Sequence, residues 1–119
     1  MSKKKILKVN VPQEVAEAYK TVKKEIDYPV LMHDRWAVEK LLTNKAVINP
    51  KLMINYWKAE GYVKRDAQVS IYISDDQVEQ VDQYATDCGT NRNTVLIQAI
   101  MDYSKENLER LGMDYKWNL

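Results

Sequence analysis

Residues 68–103 read QVSIYISDDQVEQVDQYATDCGTNRNTVLIQAIMDY and predict one strand followed by two short helices. A lone strand leaves the backbone groups along both of its edges unpaired, and two short helices cannot satisfy them. The strand therefore needs a second strand as its partner. This requirement constrains the fold more than any other feature of the chain.

The local signals within this segment are regular. Apolar residues alternate with Gln68, Ser70 and Tyr72, which places these three on the outer face of a strand. Ser74 is a good N-cap for the first helix, and Gly89 can end that helix in the left-handed conformation. Asn91 or Asn93 can cap the second helix. Cys88 completes the apolar stripe of the first helix and is interpreted as a core residue.

These 36 residues resemble the ribbon-helix-helix family of transcriptional regulators. Members of that family pair their strands antiparallel across a two-fold axis and lay the ribbon in the DNA major groove, which is wide enough to admit it. The resemblance implies base reading by Gln68, Ser70 and Tyr72. Tyr72 departs from the pattern, because smaller or charged residues are more usual there; it either stacks on or contacts a thymine methyl, or it marks a ribbon that no longer reads bases. The resemblance also implies that backbone amides bind a phosphate at the start of the second helix, at Asn91, Arg92 and Asn93.

The first half of the chain repeats this order in a degenerate form. In ILKVNVPQEVAEAYKTVKKEI, apolar residues alternate with Lys8 and Asn10, and a helical stripe follows up to Asp27. Tyr28 and Pro29 interrupt the stripe, and a second helix is expected to begin near Asp34. A shift of about 62 residues superposes the strands and first helices, and a shift of about 58 superposes the second helices.

The whole chain thus resembles a tandem ribbon-helix-helix protein, in which one chain supplies both halves of the usual homodimer, as in regulators of archaeal viruses. The resemblance places Lys8 and Asn10 beside Ser70 and Tyr72 on one ribbon. Lysine donates to guanine acceptors, and asparagine can pair with adenine. Asp34 stands where a phosphate would approach; if it is only an N-cap, His33 and Arg35 remain for phosphate contact. The basic run is interpreted as phosphate contacts or, alternatively, as a frayed solvated terminus, and it comprises Lys3, Lys4 and Lys5.

The predicted fold class is mainly α with a short antiparallel β ribbon: a tandem ribbon-helix-helix pseudo-dimer with an extra helix and an optional C-terminal strand. The expected organisation is a first unit at 1–48, an extra helix and connector at 49–66, and a second unit with a C-terminal extension at 67–119, sharing one core. Residues 1–65 carry 14 Lys and Arg against 7 Asp and Glu, whereas residues 66–119 carry 4 against 10. Two solvated surfaces of opposite sign would explain this split, but the first unit would also supply the cations that DNA binding needs.

Two segments lie outside the repeat. NPKLMINYWKAE at 49–60 predicts a helix capped by Asn49, opened by Pro50 and closed by Gly61, which either packs on the core or binds a partner. Residues 113–119 alternate as a strand would, and could add to the ribbon, dock on a neighbouring molecule or form an irregular tail anchored by Trp117. Self-association could use either segment.

Several classes of protein are disfavoured. One cysteine and one histidine leave no disulfide framework, zinc cluster or Cys/His catalytic pair, so we expect neither an enzyme nor a cofactor or metal site. The N-terminal sequence has no secretory apolar region and no membrane span. We therefore expect a soluble protein without a membrane partner, located in the cytoplasm, or in the host cytoplasm if it is viral.

The leading functional hypothesis is a sequence-specific regulator of transcription, repressor or activator, that binds double-stranded operator DNA through the mixed ribbon. The alternative is a protein-interaction module, antitoxin-like or an anti-regulator, that keeps the fold without base readout. Tyr72, Asp34 and the acidic second half motivate this alternative.

Overall fold

The structure is a computed structural model that describes residues 4–117, with the backbone alone described for residues 4, 5, 30 and 31. Over this range the chain forms a mainly helical protein with one two-stranded antiparallel sheet, as predicted. The order strand-helix-helix occurs twice. Its elements are β1 (Lys4–Val11), α1 (Gln13–Glu25), α2 (Val30–Asn44), a 3-10 turn (Pro50–Met53), β2 (Ala67–Ser74), α3 (Asp75–Cys88) and α4 (Arg92–Arg110).

The two strands pair with each other within the one chain. The register runs from Lys4 opposite Ser74 to Val11 opposite Ala67. The strand from the first half therefore supplies the partner that the strand of the second half requires. The inner face of the sheet belongs to the core, and its buried residues are Val9, Val11, Ile71 and Ile73.

Helix α4 is the central element of the core. It is buried along most of its length from Thr94 to Leu108 and contacts each of the other three α-helices. A helix that is apolar on most sides is stable only when other elements surround it. One hydrophobic cluster consequently contains residues of both halves, from Val9 to Leu108.

The helix ends of the second half form where the sequence signals place them. The Ser74 side chain accepts a hydrogen bond from the Gln77 backbone N–H, and the Gln77 side chain returns to the Ser74 N–H. Gly89 ends α3 with a φ of 72°. The Asn91 side chain accepts from the Thr94 N–H at 2.9 Å and so caps α4.

The start of the second helix of the first half was predicted wrongly. Helix α2 begins at Val30, after Pro29, rather than near Asp34. His33 and Asp34 lie inside the helix rather than at its start, and both are fully buried in the core. Their side chains form tertiary hydrogen bonds, which outweigh the local capping preference of aspartate.

The extra helix predicted over residues 49–60 was also wrong. Asn49 does cap a turn, accepting from the Lys51 N–H at 2.9 Å, but the turn ends at Met53. The Leu52 carbonyl accepts instead from the Thr94 hydroxyl, at 3.3 Å, and from the Arg65 guanidinium. These tertiary hydrogen bonds fix the Leu52 carbonyl, and the chain leaves the helical path at Ile54, which is extended.

The predicted C-terminal strand does not form within residues 113–117. Gly112 has a φ of 72°, and the Met113 N–H returns to the Leu108 carbonyl at 2.8 Å, which ends α4. Tyr115 and Trp117 then lie ring against ring, with centroids 4.6 Å apart, and pack on the core. The irregular tail anchored by Trp117 is therefore the alternative that fits.

Within the described range, none of the helices has the length and apolar character needed to cross a membrane.

Candidate nucleic-acid interface

The outer face of the two-stranded sheet presents three cross-strand pairs, which we call the ribbon face. Lys8 lies opposite Ser70 at its centre. Every side chain of this face is exposed except that of Tyr72, which is partly buried. The sequence predicted that five of the six residues would share one face, and the register brings them together. The six residues are Ile6, Lys8, Asn10, Gln68, Ser70 and Tyr72.

The centre of the ribbon face carries the Lys8 ammonium group. No described residue forms an ion pair or a side-chain hydrogen bond with Lys8. The residue opposite, Ser70, has only a short hydroxyl side chain. A ligand that accepts hydrogen bonds can therefore reach Lys8 without first displacing an acidic partner.

One end of the ribbon face carries a pair of amides. The Gln68 side-chain N–H donates to the Asn10 side-chain oxygen at 3.2 Å. This bond leaves the Asn10 amide as a donor and the Gln68 carbonyl as an acceptor. Such a donor and acceptor side by side can complement the edge of a base pair.

The backbone of Asn10 is fixed from the other half of the chain. The Asn10 N–H donates to the Asn93 side-chain oxygen at 2.9 Å, and the Asn93 side-chain N–H donates to the Asn10 carbonyl at 3.1 Å. The Asn93 amide thus pairs with the free edge of β1 as the peptide group of a third strand would. Its side chain is occupied there, so the predicted phosphate contact of Asn93 would have to use its backbone.

The other end of the ribbon is fixed by a buried carboxylate that sequence reasoning assigned to a surface. Asp34 accepts a hydrogen bond from the Tyr72 backbone N–H at 2.9 Å and another from the Tyr19 hydroxyl. Burial raises the pKa of Asp34, and these two hydrogen bonds with the charges of Lys23 and His33 offset the rise only in part. Asp34 consequently holds β2 to the core and does not face an approaching phosphate.

His33 is excluded from phosphate contact by its burial. Its Nε2–H donates to the Ile26 carbonyl at 3.1 Å, because a carbonyl can only accept, and its Nδ1 lies 2.7 Å from the Tyr103 hydroxyl. Burial, followed by the nearby Tyr28 and Asp34, raises the pKa of Tyr103 to about 12. The His33 ring therefore joins α2 to α4 inside the core.

The start of α4 offers backbone rather than side-chain groups to an anion. The Arg92 guanidinium forms two hydrogen bonds of 2.7 Å with Asp82, and the Asn91 side chain is used as the cap. The backbone N–H groups of Arg92 and Asn93 have no acceptor among the described residues. Two free N–H groups at the positive end of a 19-residue helix favour an anion.

Arg35 lies on the second turn of α2 rather than at the start of that helix, and its side chain is exposed. Its carbonyl accepts from the Gln77 side chain at 3.2 Å, which places it beside the end of the ribbon where Lys4 lies opposite Ser74. Lys3 and the side chains of Lys4 and Lys5 fall outside the described residues. Their phosphate contacts stay predictions.

Sequence reasoning missed two lysines beside the ribbon. Lys20 and Lys23 of α1 line a groove whose other wall includes Ser70 and Tyr72 of β2. The Lys23 ammonium lies 4.5 Å from the centre of the Tyr19 ring. The signal was available, because both lysines lie off the buried stripe of α1, but only the tertiary structure shows that α1 lies beside β2.

No protein-family model, curated protein or solved structure matches this chain.

Proposed function

We propose that this chain is a sequence-specific regulator of transcription of the ribbon-helix-helix type, in which a single chain forms the complete ribbon and inserts it into the DNA major groove. The observation that carries the proposal is the pairing of β1 with β2, which sets Lys8 opposite Ser70 on an exposed face. A two-stranded ribbon has the right width for the major groove.

The ribbon face has the chemistry that base reading requires. Lys8 can donate to the O6 and N7 acceptors of guanine, and Asn10 can pair with adenine through its amide. Ile6 and Tyr72, which lie opposite each other, offer an apolar surface for a thymine methyl. Since the three pairs differ along the ribbon, the operator halves need not match.

The surroundings of the ribbon supply groups for phosphates. At one end these are the free N–H groups of Arg92 and Asn93, and at the other end the Arg35 side chain. Lys20 and Lys23 lie along the flank of β2. Cations that neutralise phosphates release counterions, so each such contact adds affinity that falls as salt rises.

A protein-interaction module is the second candidate. It is favoured by the Arg92 guanidinium being paired with Asp82, and by an apolar pair, Ile6 and Tyr72, at one end of the ribbon face. Ile6 is 60% exposed. An apolar end of this kind could pack against a protein instead of a base.

Selection of binding sites from a pool of random duplexes tests the proposal. The selected duplex is then titrated with the wild type, Lys8→Ala and the control Lys105→Ala. Lys105 is exposed on α4, about 20 Å along the helix from Arg92, and its ammonium lies 5.8 Å from the centre of the Tyr115 ring of the tail. Lys105→Ala therefore removes the same charge at a site that is not part of the ribbon face. We expect Lys8→Ala to lose about tenfold or more in discrimination at a guanine position, and Lys105→Ala to lose none.

The salt dependence separates phosphate contacts from base contacts. Replacing Lys20 and Lys23 together by alanine should weaken binding to all sequences and reduce the slope of log K against log salt by about 2. Absence of DNA retention at about 50 mM salt, or binding that is indifferent to Lys8, Asn10 and Ser70, would contradict the proposal and favour the protein-interaction module.

A further inference from the structure

The link between the two halves carries an exposed pair of aromatic rings that the ribbon face does not use. Tyr56 is 60% exposed and Trp57 is 68% exposed, and their ring centroids lie 6.4 Å apart. The Lys58 ammonium lies 4.8 Å from the centre of the Trp57 ring. We call residues 55–62 the aromatic loop. Adjacent large aromatic side chains left in water are a typical mark of a binding surface.

The segment before the aromatic loop is fixed to the first turns of α4. Leu52 is fully buried, and its carbonyl accepts from the Thr94 hydroxyl at 3.3 Å. The Asn49 N–H donates to the Gln98 side-chain oxygen at 2.8 Å. Thr94 follows directly on Arg92 and Asn93, whose backbone N–H groups have no acceptor in the described part of the chain. The aromatic loop therefore leaves the core beside the N-terminal end of α4.

The segment after the aromatic loop returns to the ribbon. Arg65 donates to the carbonyls of Leu52 and Ile54, which joins the two ends of the loop. The chain then enters β2 at Ala67, and Gln68 follows at the amide end of the ribbon face. Both attachments of the loop thus lie at the same end of the ribbon.

The charge of this segment complements a polyanion. Residues 51–65 contain four basic residues and one acidic residue, Glu60. Three of the basic side chains are exposed, and these are Lys51, Lys58 and Lys64. Lysines interleaved with exposed aromatic rings can pair with phosphates while the rings pack on sugars.

We propose that the aromatic loop is a second DNA-contacting surface, which holds the duplex just outside the ribbon at the Asn10 and Gln68 end. Tyr56 and Trp57 pack against the sugar edges of the flanking backbone, and the three lysines contact its phosphates. The inference rests on the proposed function. The described tail that follows α4, residues 113–117, packs on the core. Within the described residues, this surface therefore occurs at one end of the ribbon. It predicts a footprint on DNA that extends further on that side.

Hydroxyl-radical footprinting on the selected duplex tests this surface. The variants are Tyr56→Ala with Trp57→Ala, and Val47→Ala as the control, since Val47 is an 85% exposed apolar residue outside the loop. Substitutions at exposed positions of this kind leave folding nearly unchanged. We expect the double variant to lose the one-sided extension and about tenfold in affinity, while base preference under the ribbon is unchanged.

Trimming the duplex on the extended side provides an independent check. The wild type and the double variant should then bind equally, whereas trimming the opposite side should preserve their difference. An unchanged footprint and affinity in the double variant, with wild-type binding still dependent on Lys8, overturns the aromatic-loop proposal and leaves the proposed function standing. If the double variant loses the extension but DNA binding does not depend on Lys8, the aromatic-loop proposal is supported and base reading by the ribbon is overturned. The aromatic-loop proposal is also overturned if the wild type binds no duplex. It is overturned as well if the double substitution leaves the footprint unchanged and instead changes the mass of the free protein, which would assign the two rings to self-association.

Discussion

The two strand-helix-helix halves differ in how their helix ends are determined. In the second half, Ser74 and Gln77, three residues apart, cap α3, Gly89 ends it, and Asn91 caps α4. In the first half, Pro12 and Pro29 precede the helices without a side-chain cap. The first N–H of α1, that of Gln13, donates instead to Asp66, 53 residues further along the chain. The second half is specified locally, whereas the first depends on contacts with the second.

The strands show the same dependence in both directions. Asp34 of the first half binds the backbone of Tyr72 in β2, and Asn93 of the second half binds the backbone of Asn10 in β1. Each half therefore holds the strand of the other. The Asp34 contact is buried and charged, but the Asn93 contact is neutral and partly exposed.

The largest expected effect comes from breaking the buried contact. Asp34→Ala leaves the Tyr19 hydroxyl and the Tyr72 N–H without an acceptor, and we expect a loss of about 3 kcal/mol in the free energy of unfolding. Asn93→Ala, its counterpart, should cost about 1 kcal/mol, because water can reach the Asn10 backbone. Urea unfolding measures both. Equal losses would show that the two contacts are not different in kind.

The pH dependence of Asp34→Asn sharpens the same comparison. Since burial raises the pKa of Asp34 above its ordinary value of 3.8, the folded state keeps a proton that the unfolded chain releases. The contribution of Asp34 to the free energy of unfolding is fully present below pH 3.8, and it is lost as the pH rises through the pKa of the folded state. The amide variant lacks this fall, and slopes from other carboxyl groups cancel in the difference between the two proteins. A parallel pH profile for wild type and Asp34→Asn would contradict the assignment.

The helix caps allow a smaller, matched comparison. Ser74→Ala removes a local capping box and should cost about 1 kcal/mol. Asp66→Ala removes the remote cap of α1 and should cost about 0.5 kcal/mol, because that contact is exposed. Thermal unfolding of both variants checks the order. A larger loss for Asp66→Ala would mean that remote contacts dominate the helix ends.

Effects of similar size, but of opposite sign, are expected at the two left-handed residues that follow α2 and α3. Lys45 has a φ of 49°, and Gly89 has a φ of 72° with no atom within 4 Å of an added Cβ. Gly89→Ala should therefore cost about 1 kcal/mol through backbone strain alone. Lys45→Gly should instead stabilise by about 0.5 kcal/mol. Changes of the same sign in the two variants would contradict this account.

Sequence-based prediction of the fold was correct where helix ends are specified locally and wrong where they depend on tertiary contacts. Ser74 and Gly89 were placed correctly, and Asn91 is one of the two caps predicted for α4, because each signal acts on its immediate neighbours. The start of α2 was misplaced, because Asp34 resembles a cap in the sequence and becomes a buried acceptor only when Tyr19 and β2 surround it. The helix predicted at 49–60 failed for a similar reason, since the Leu52 carbonyl accepts tertiary hydrogen bonds from Thr94 and Arg65 that the local sequence does not show.

The candidate site was predictable where it depends on strand alternation. Lys8, Asn10, Gln68 and Ser70 share a face because side chains alternate along any strand. The lysines of α1 beside β2 could not be assigned, since their proximity is a tertiary fact. Nor could the pairing of Arg92 with Asp82, which leaves only backbone groups for an anion at the start of α4.

The mass of the free protein in solution tests most directly whether one chain forms the whole ribbon. The measurement is multi-angle light scattering over a dilution series, at protein concentrations above and below the dissociation constant for DNA. The account predicts the mass of one chain, 13.9 kDa, throughout the series. A two-chain mass that persists on dilution would contradict it, because the ribbon could then form between strands of two chains.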